Sequence, residues 1–126
     1  MYNLSLIQAN LVQGTCVNML PPGDNFELNI ELNHTINTTA PGLMDSITKL
    51  TVSPKKIDLA SPFNISFELR ASYKAPLSLS SDDAFDESIH IVFPYLKTNL
   101  KQFCNLLDFP LIPLPFDSIP SIKAQQ

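Results

Sequence analysis

Few side chains in this chain could do chemistry. The candidates are His34 and His90, Cys16 and Cys104, and the acidic run from Asp82 to Glu87. A histidine can serve as a general base near neutral pH, and a thiolate as a nucleophile. Both chemistries need partners at defined spacing. No Gly-x-Ser-x-Gly nucleophile turn occurs. Gly14, Gly23 and Gly42 stand apart from one another, which excludes a glycine-rich phosphate loop. Neither histidine lies at ligand spacing from a cysteine, so no metal is expected. Asp82 and Asp83 lack the spaced oxygen ligands of a calcium loop. The two thiols read as small buried hydrophobes in a reducing compartment, with a disulfide as the alternative. No catalytic residue and no cofactor is expected, and the chain reads as a non-enzyme.

Composition narrows the partners. The net charge is −4, Arg70 is the single arginine, and Lys55-Lys56 is the single lysine pair. That balance argues against nucleic acid, which needs clustered cations, and favours basic polypeptide segments. Charged residues make up 16% and apolar residues 44%. The charged share lies below the usual value of about 25%, so some apolar surface is expected to be shared with a partner or another subunit. No apolar run approaches the roughly 18 residues that span a bilayer, so no membrane insertion is expected. Met1-Tyr-Asn-Leu-Ser5 lacks a basic region followed by an apolar core, which points to a cytoplasmic protein. Asn-x-Ser/Thr sequons at Asn3, Asn33, Asn37 and Asn64 would suit a secreted chain. Asn33 and Asn64 fall on expected strands, where glycans are poorly placed.

These residues need a scaffold, and one domain over residues 1–126 accommodates it. A first strand is expected over about 3–17, with a break or bulge near Gly14. Met19-Leu-Pro-Pro-Gly-Asp24 stops it as a stiff crossover. The second strand, about 25–34, alternates Phe26, Leu28, Ile30 and Leu32 with Glu27, Asn29, Glu31 and Asn33. Residues 35–45 are polar, contain Pro41-Gly42, and read as a turn or loop. A third strand is expected over about 47–57, broken near Pro54, and a fourth over about 63–75. Short connections favour antiparallel pairing. Residues 77–86 read as a solvated linker whose acidic end suits a helix N-terminus. A helix over about 88–107 carries the stripe Ile89, Phe93, Leu96, Leu100, Phe103 and Leu107, with a kink or restart at Pro94. A proline-rich apolar loop follows over 108–117, then a short tail over 118–126.

Ser61 to Tyr73, the helix entry Val92-Phe-Pro-Tyr-Leu-Lys97, and the loop Phe109-Pro-Leu-Ile-Pro-Leu-Pro-Phe-Asp117 together resemble the SecB family of export chaperones. The resemblance covers about residues 3–118 and is most specific in the second half. It implies an α+β fold: a four-stranded antiparallel sheet with one long kinked helix packed on it, assembled as a homotetramer, a dimer of dimers. It implies an ATP-independent holdase for unfolded or precursor polypeptides. The family's client grooves map onto Met19, Leu20 and Pro21, onto Phe26, Leu28, Ile30 and Leu32, and onto Phe109, Leu111, Ile112, Leu114 and Phe116. The family also docks on the SecA motor through acidic residues. Those positions fall here at Gly14, Asn18 and Ser66, none of them acidic. The family's C-terminal helix is also missing from the sequence pattern. A SecB-like chaperone dedicated to an antitoxin of a toxin–antitoxin system is the alternative duty. A β-rich interaction module or a small enzyme using His34 or His90 are the readings without the resemblance.

Overall fold

The computed structural model describes residues 2–18, 28–54 and 63–107, and for Asn18, Leu28 and Pro54 the backbone only. They form β1 (Ser5–Asn18), β2 (Leu28–Ala40), β3 (Leu43–Pro54), β4 (Phe63–Lys74) and α1 (Ser81–Leu106). The four strands make one antiparallel sheet in the order β1-β4-β3-β2. Helix α1 covers one face of it. This is the α+β architecture expected from the sequence.

Directly paired residues on antiparallel strands share a face. On β4, Phe63, Ile65, Phe67, Leu69, Ala71 and Tyr73 are buried, all on the helix side. Phe63, Ile65, Phe67 and Leu69 meet Ile89, Phe93, Leu96, Leu100 and Cys104 of the helix in one apolar cluster, with Leu50 and Val52 of β3. A second cluster joins Leu4, Met44, Ala71 and Tyr73 to Ala84 and Val92 near the helix start. The opposite face of the sheet is polar, and among the described residues no helix lies on it.

β1 departs from the sequence expectation in a way that matters for its faces. Its pairing with β4 shifts between Leu6 and Gln8 and again between Leu11 and Gln13. Each shift inserts one extra residue, Ile7 and Val12, and restores the alternation one position later. The apolar residues Leu6, Ala9 and Leu11, then Gly14 and Cys16, thereby stay on the helix side, opposite Tyr73, Ala71, Leu69, Phe67 and Ile65. The irregularity expected near Gly14 lies at Val12, two residues before it.

The segment 35–45 is not a loop. β2 continues to Ala40 and β3 begins at Leu43, so Pro41-Gly42 is a two-residue turn. Proline sets the first turn residue, and glycine takes the positive φ of 79° at the second. Thr35, Ile36 and Thr38 are β-branched and suit a strand. Their polarity hid the pattern, because the helix-side positions here include His34, Ser46 and Thr48 rather than apolar residues. β3 ends at Pro54, so residues 55–57 of the expected strand lie outside the described residues.

The helix begins at Ser81, seven residues before the expected start. Ser80 caps it, its hydroxyl accepting the Asp83 N–H at 3.1 Å. Asp82 and Asp83 occupy the first turn, where the helix dipole favours carboxylates. The linker is thus only residues 75–80. Pro94 lies inside α1, but no restart occurs there. Proline has no N–H to offer the His90 carbonyl, and the turn continues on the packing of Phe93 and Leu96 against the sheet. Among the described residues, no helix is long and apolar enough to cross a membrane.

Candidate functional site

Of the groups that could have done chemistry, His34 and Cys104 are taken up by the fold. His34 points from β2 into the space under α1 and is fully buried. Its Nδ1 lies 2.7 Å from Thr48 Oγ1, and its Nε2 lies 2.7 Å from Ser88 Oγ. Ser88 gives its only hydrogen to the Phe85 carbonyl at 2.9 Å. It therefore accepts from Nε2–H, and Thr48 donates to Nδ1: hydrogen count assigns the neutral tautomer. The Phe85 ring stands edge-on at 5.0 Å. Burial removes the water that would stabilise the charged form, and pushes the His34 pKa down to about 4. A serine–histidine contact sealed this way has no room for a substrate. It ties an edge strand to the helix.

A second buried polar pair lies alongside. Tyr73 Oη and Ser46 Oγ are 2.7 Å apart, and burial raises the phenol to about 12. Among the described residues, no buried side-chain nitrogen or oxygen is without a partner. His90 is half-buried, and its Nδ1–H donates to the Asp86 carbonyl one turn back at 2.7 Å. Cys16 and Cys104 are free thiols: Cys104 is buried in the apolar cluster, and Cys16 packs half-buried against it. Among the described residues, no group of three or more metal-ligating side chains forms.

The residues expected to hold a client divide. Ile30 and Leu32 lie on the helix side of β2, half-buried, at the rim of the larger apolar cluster. Leu28 opens β2. Met19, Leu20, Pro21 and Phe26, and Phe109, Leu111, Ile112, Leu114 and Phe116, lie outside the described residues. Ile36 joins the strip, half-buried on the same side of β2 and packed on the second cluster. Sequence reasoning missed it because 35–45 read as a loop. The signal was the unbroken alternation Ile30, Leu32, His34, Ile36.

Among the described residues β2 is also an edge strand, paired with β3 on one side. The other edge, β1, exposes large apolar side chains: Ile7, Leu11 and Val12 are 51%, 44% and 48% exposed.

The open face is balanced in charge. Glu31, Asp45 and Glu68 share it with Lys49, Arg70 and Lys74, and Arg70 Nε donates to Glu68 at 3.1 Å. The three positions matched to the family's motor-docking acids do not share this face. Ser66 lies on it, beside Thr51 and Thr15. Gly14 pairs with the helix-facing Phe67, and Asn18 with Phe63. The extra residue at Val12 moved Gly14 to the inner side.

Neither a protein-family model nor a curated protein sequence matches the chain. Solved structures do. A SecB-like chaperone of Mycobacterium tuberculosis, Rv1957, in complex with a ChAD peptide from the antitoxin HigA1, matches with a TM-score of 0.71. The match covers 94% of this chain and 93% of that one at 12% identity. This chain has the SecB-like fold. A protein of unknown function from Streptococcus agalactiae matches with a TM-score of 0.49 at 15% identity, over 90% of this chain and 97% of that one. Within the SecB-like fold of this chain, Ile30, Leu32 and Ile36 lie along β2, and Phe85 of α1 stands against His34 of the same strand.

Proposed function

We propose that the protein is an ATP-independent chaperone that holds non-native polypeptides on the apolar strip beside β2, without catalysis. The observation that carries this reading is the SecB-like fold over nearly the whole chain, with Ile30 and Leu32 half-buried on its edge strand. The remaining client-binding positions are Met19, Leu20, Pro21, Leu28, Phe26, Phe109, Leu111, Ile112, Leu114 and Phe116. Copies associate as a homotetramer in the cytoplasm, and the exposed Ile7, Leu11 and Val12 of β1 support the association. The test is light scattering of a denatured client diluted into buffer without nucleotide. Suppressed aggregation at a few-fold excess is expected, and no suppression would sink the proposal.

The duty that fits better than general export is service to one dedicated polypeptide, such as an antitoxin. Two observations favour it. The similar chaperone is seen with an antitoxin peptide. Here the open sheet face balances Glu31, Asp45 and Glu68 against three cations, with Gly14, Asn18 and Ser66 at the docking positions. A SecA motor that seeks an acidic patch finds little to hold. Co-sedimentation with purified SecA checks this, and no complex is expected.

A further inference from the structure

Helix α1 is held differently along its length. Over residues 81–90 the buried side chains are Ala84, Ser88 and Ile89, so Ile89 is the one large apolar group among them. Further on, Val92, Phe93, Leu96, Leu100 and Cys104 are buried, and all are apolar. Apolar burial is what resists local opening. The first part is tied instead by polar bonds. Ser88 accepts from His34 of β2, and Glu87 accepts from the N–H groups of Asn3 and Leu4 ahead of β1. Water replaces such bonds at small net cost once it reaches them.

Pro94 lies where the two parts meet. Without an N–H, it leaves out the helical bond that would close on the His90 carbonyl. Parting the helix there breaks one backbone bond fewer than elsewhere.

His34 is a tie that a proton can undo. Neutral, it accepts from Thr48 and donates to Ser88. Protonated, both ring nitrogens carry hydrogen, so the Thr48 bond must reverse and a charge is buried. Among the described residues no opposite charge faces it. Glu31 of β2, Asp45 and Lys49 of β3, and Glu68, Arg70 and Lys74 of β4 stand on the other face of the sheet. On the helix side, Tyr73 is bonded to Ser46. Asp82, Asp83 and Asp86 are exposed, Glu87 is taken by Asn3 and Leu4, and His90 bonds the Asp86 carbonyl. Water serves the charged ring better, and water reaches it when the helix start lifts.

We propose that residues 81–90 of α1 swing away from the sheet about Pro94, with the His34–Ser88 bond as the latch that acid releases. The sheet and residues 95–106 stay in place. The swing uncovers Met44, Ala71 and Tyr73 of the second apolar cluster. Acid thus raises the exposed apolar surface of a protein that remains folded. This goes beyond the chaperone reading and does not depend on it.

The test is native-state amide exchange of the full chain, read as protection factors so that the intrinsic effect of pH is removed. At pH 7, amides of residues 84–93 should be at least tenfold less protected than those of 96–104. L100A removes packing that the swung state keeps. It should lower protection at 96–104 at least tenfold and leave 84–93 within about twofold. C104A, a milder change in the same cluster, should separate the two groups in the same direction. Equal loss in both groups would show that α1 opens as one body, and would overturn the proposal. Between pH 7 and pH 4.5, amides of 84–93 should lose at least tenfold in protection in the wild type, and less than about threefold in H34Q. No loss in the wild type, or an equal loss in H34Q, removes His34 as the latch.

Discussion

The tip of the Phe103 ring of α1 reaches Gly14 of β1, so close that a Cβ at position 14 would stand 2.5 Å from Phe103 Cζ. The same ring stacks on Phe67, with centroids 5.2 Å apart and planes at 20°. Gly14 pairs with Phe67 across the ladder. A glycine weakens a strand, and here an aromatic ring fills the space it leaves.

G14A should therefore lower stability by about 1–3 kcal/mol through overpacking. In an F103A background the same change should be neutral or stabilising, since alanine costs less backbone entropy than glycine. Urea midpoints of the four proteins give the cycle. A G14A penalty that persists without Phe103 would show that the contact is not its cause.

His34 makes stability depend on pH. Its folded pKa is about 4, against an ordinary value of 6.5. Between those values the unfolded chain binds a proton that the folded chain refuses. The contribution is complete above pH 6.5 and is lost as pH falls toward 4, by on the order of 3 kcal/mol. H34Q should flatten this slope while lowering stability at pH 7. Urea titrations at pH 7 and pH 4.5 read both effects. Nitrogen-15 NMR should find the proton on Nε2.

Tyr73 and Ser46 form a closed pair, so removing either hydroxyl strands the other. Y73F should cost about 1–3 kcal/mol, and the double variant Y73F/S46A less than the sum of the single changes. Burial first, then the nearby Asp45 charge, raises the phenol to about 12 against the pull of the Ser46 bond. Absorbance titration should show one tyrosine that ionises only near that pH or on unfolding.

Glu87 fastens the start of the chain to the helix. Its carboxylate accepts the backbone N–H of Asn3 at 2.5 Å and of Leu4 at 3.0 Å, and the Asn3 side-chain amide at 3.0 Å. Desolvation works to raise its pKa, but these hydrogen bonds hold it below the usual carboxylate range. A group shifted down favours the folded state above its ordinary pKa, and that support fades as pH falls through the lowered value. E87Q should speed amide exchange at Asn3 and Leu4 at neutral pH and leave exchange in β3 and β4 unchanged. Equal exchange in both proteins would remove the anchoring role.

The sequence by itself determined the fold class, the alternation of Phe63 to Tyr73, and the helix stripe from Ile89 to Leu100. Those patterns are local: periods of two and 3.6 residues are written in neighbouring positions. It could not reveal the extra residues Ile7 and Val12, because a shift in pairing is a property of two strands far apart in the sequence, as Leu6 and its partner Tyr73 are. It hid the second half of β2, because His34, Ser46 and Thr48 look like surface until Ser88 and Tyr73 arrive to satisfy them. The candidate site was half legible for the same reason. Ile30 and Leu32 were visible as one face of a strand. Tertiary structure alone decided that, among the described residues, this strand lies at the edge of the sheet, pinned by His34.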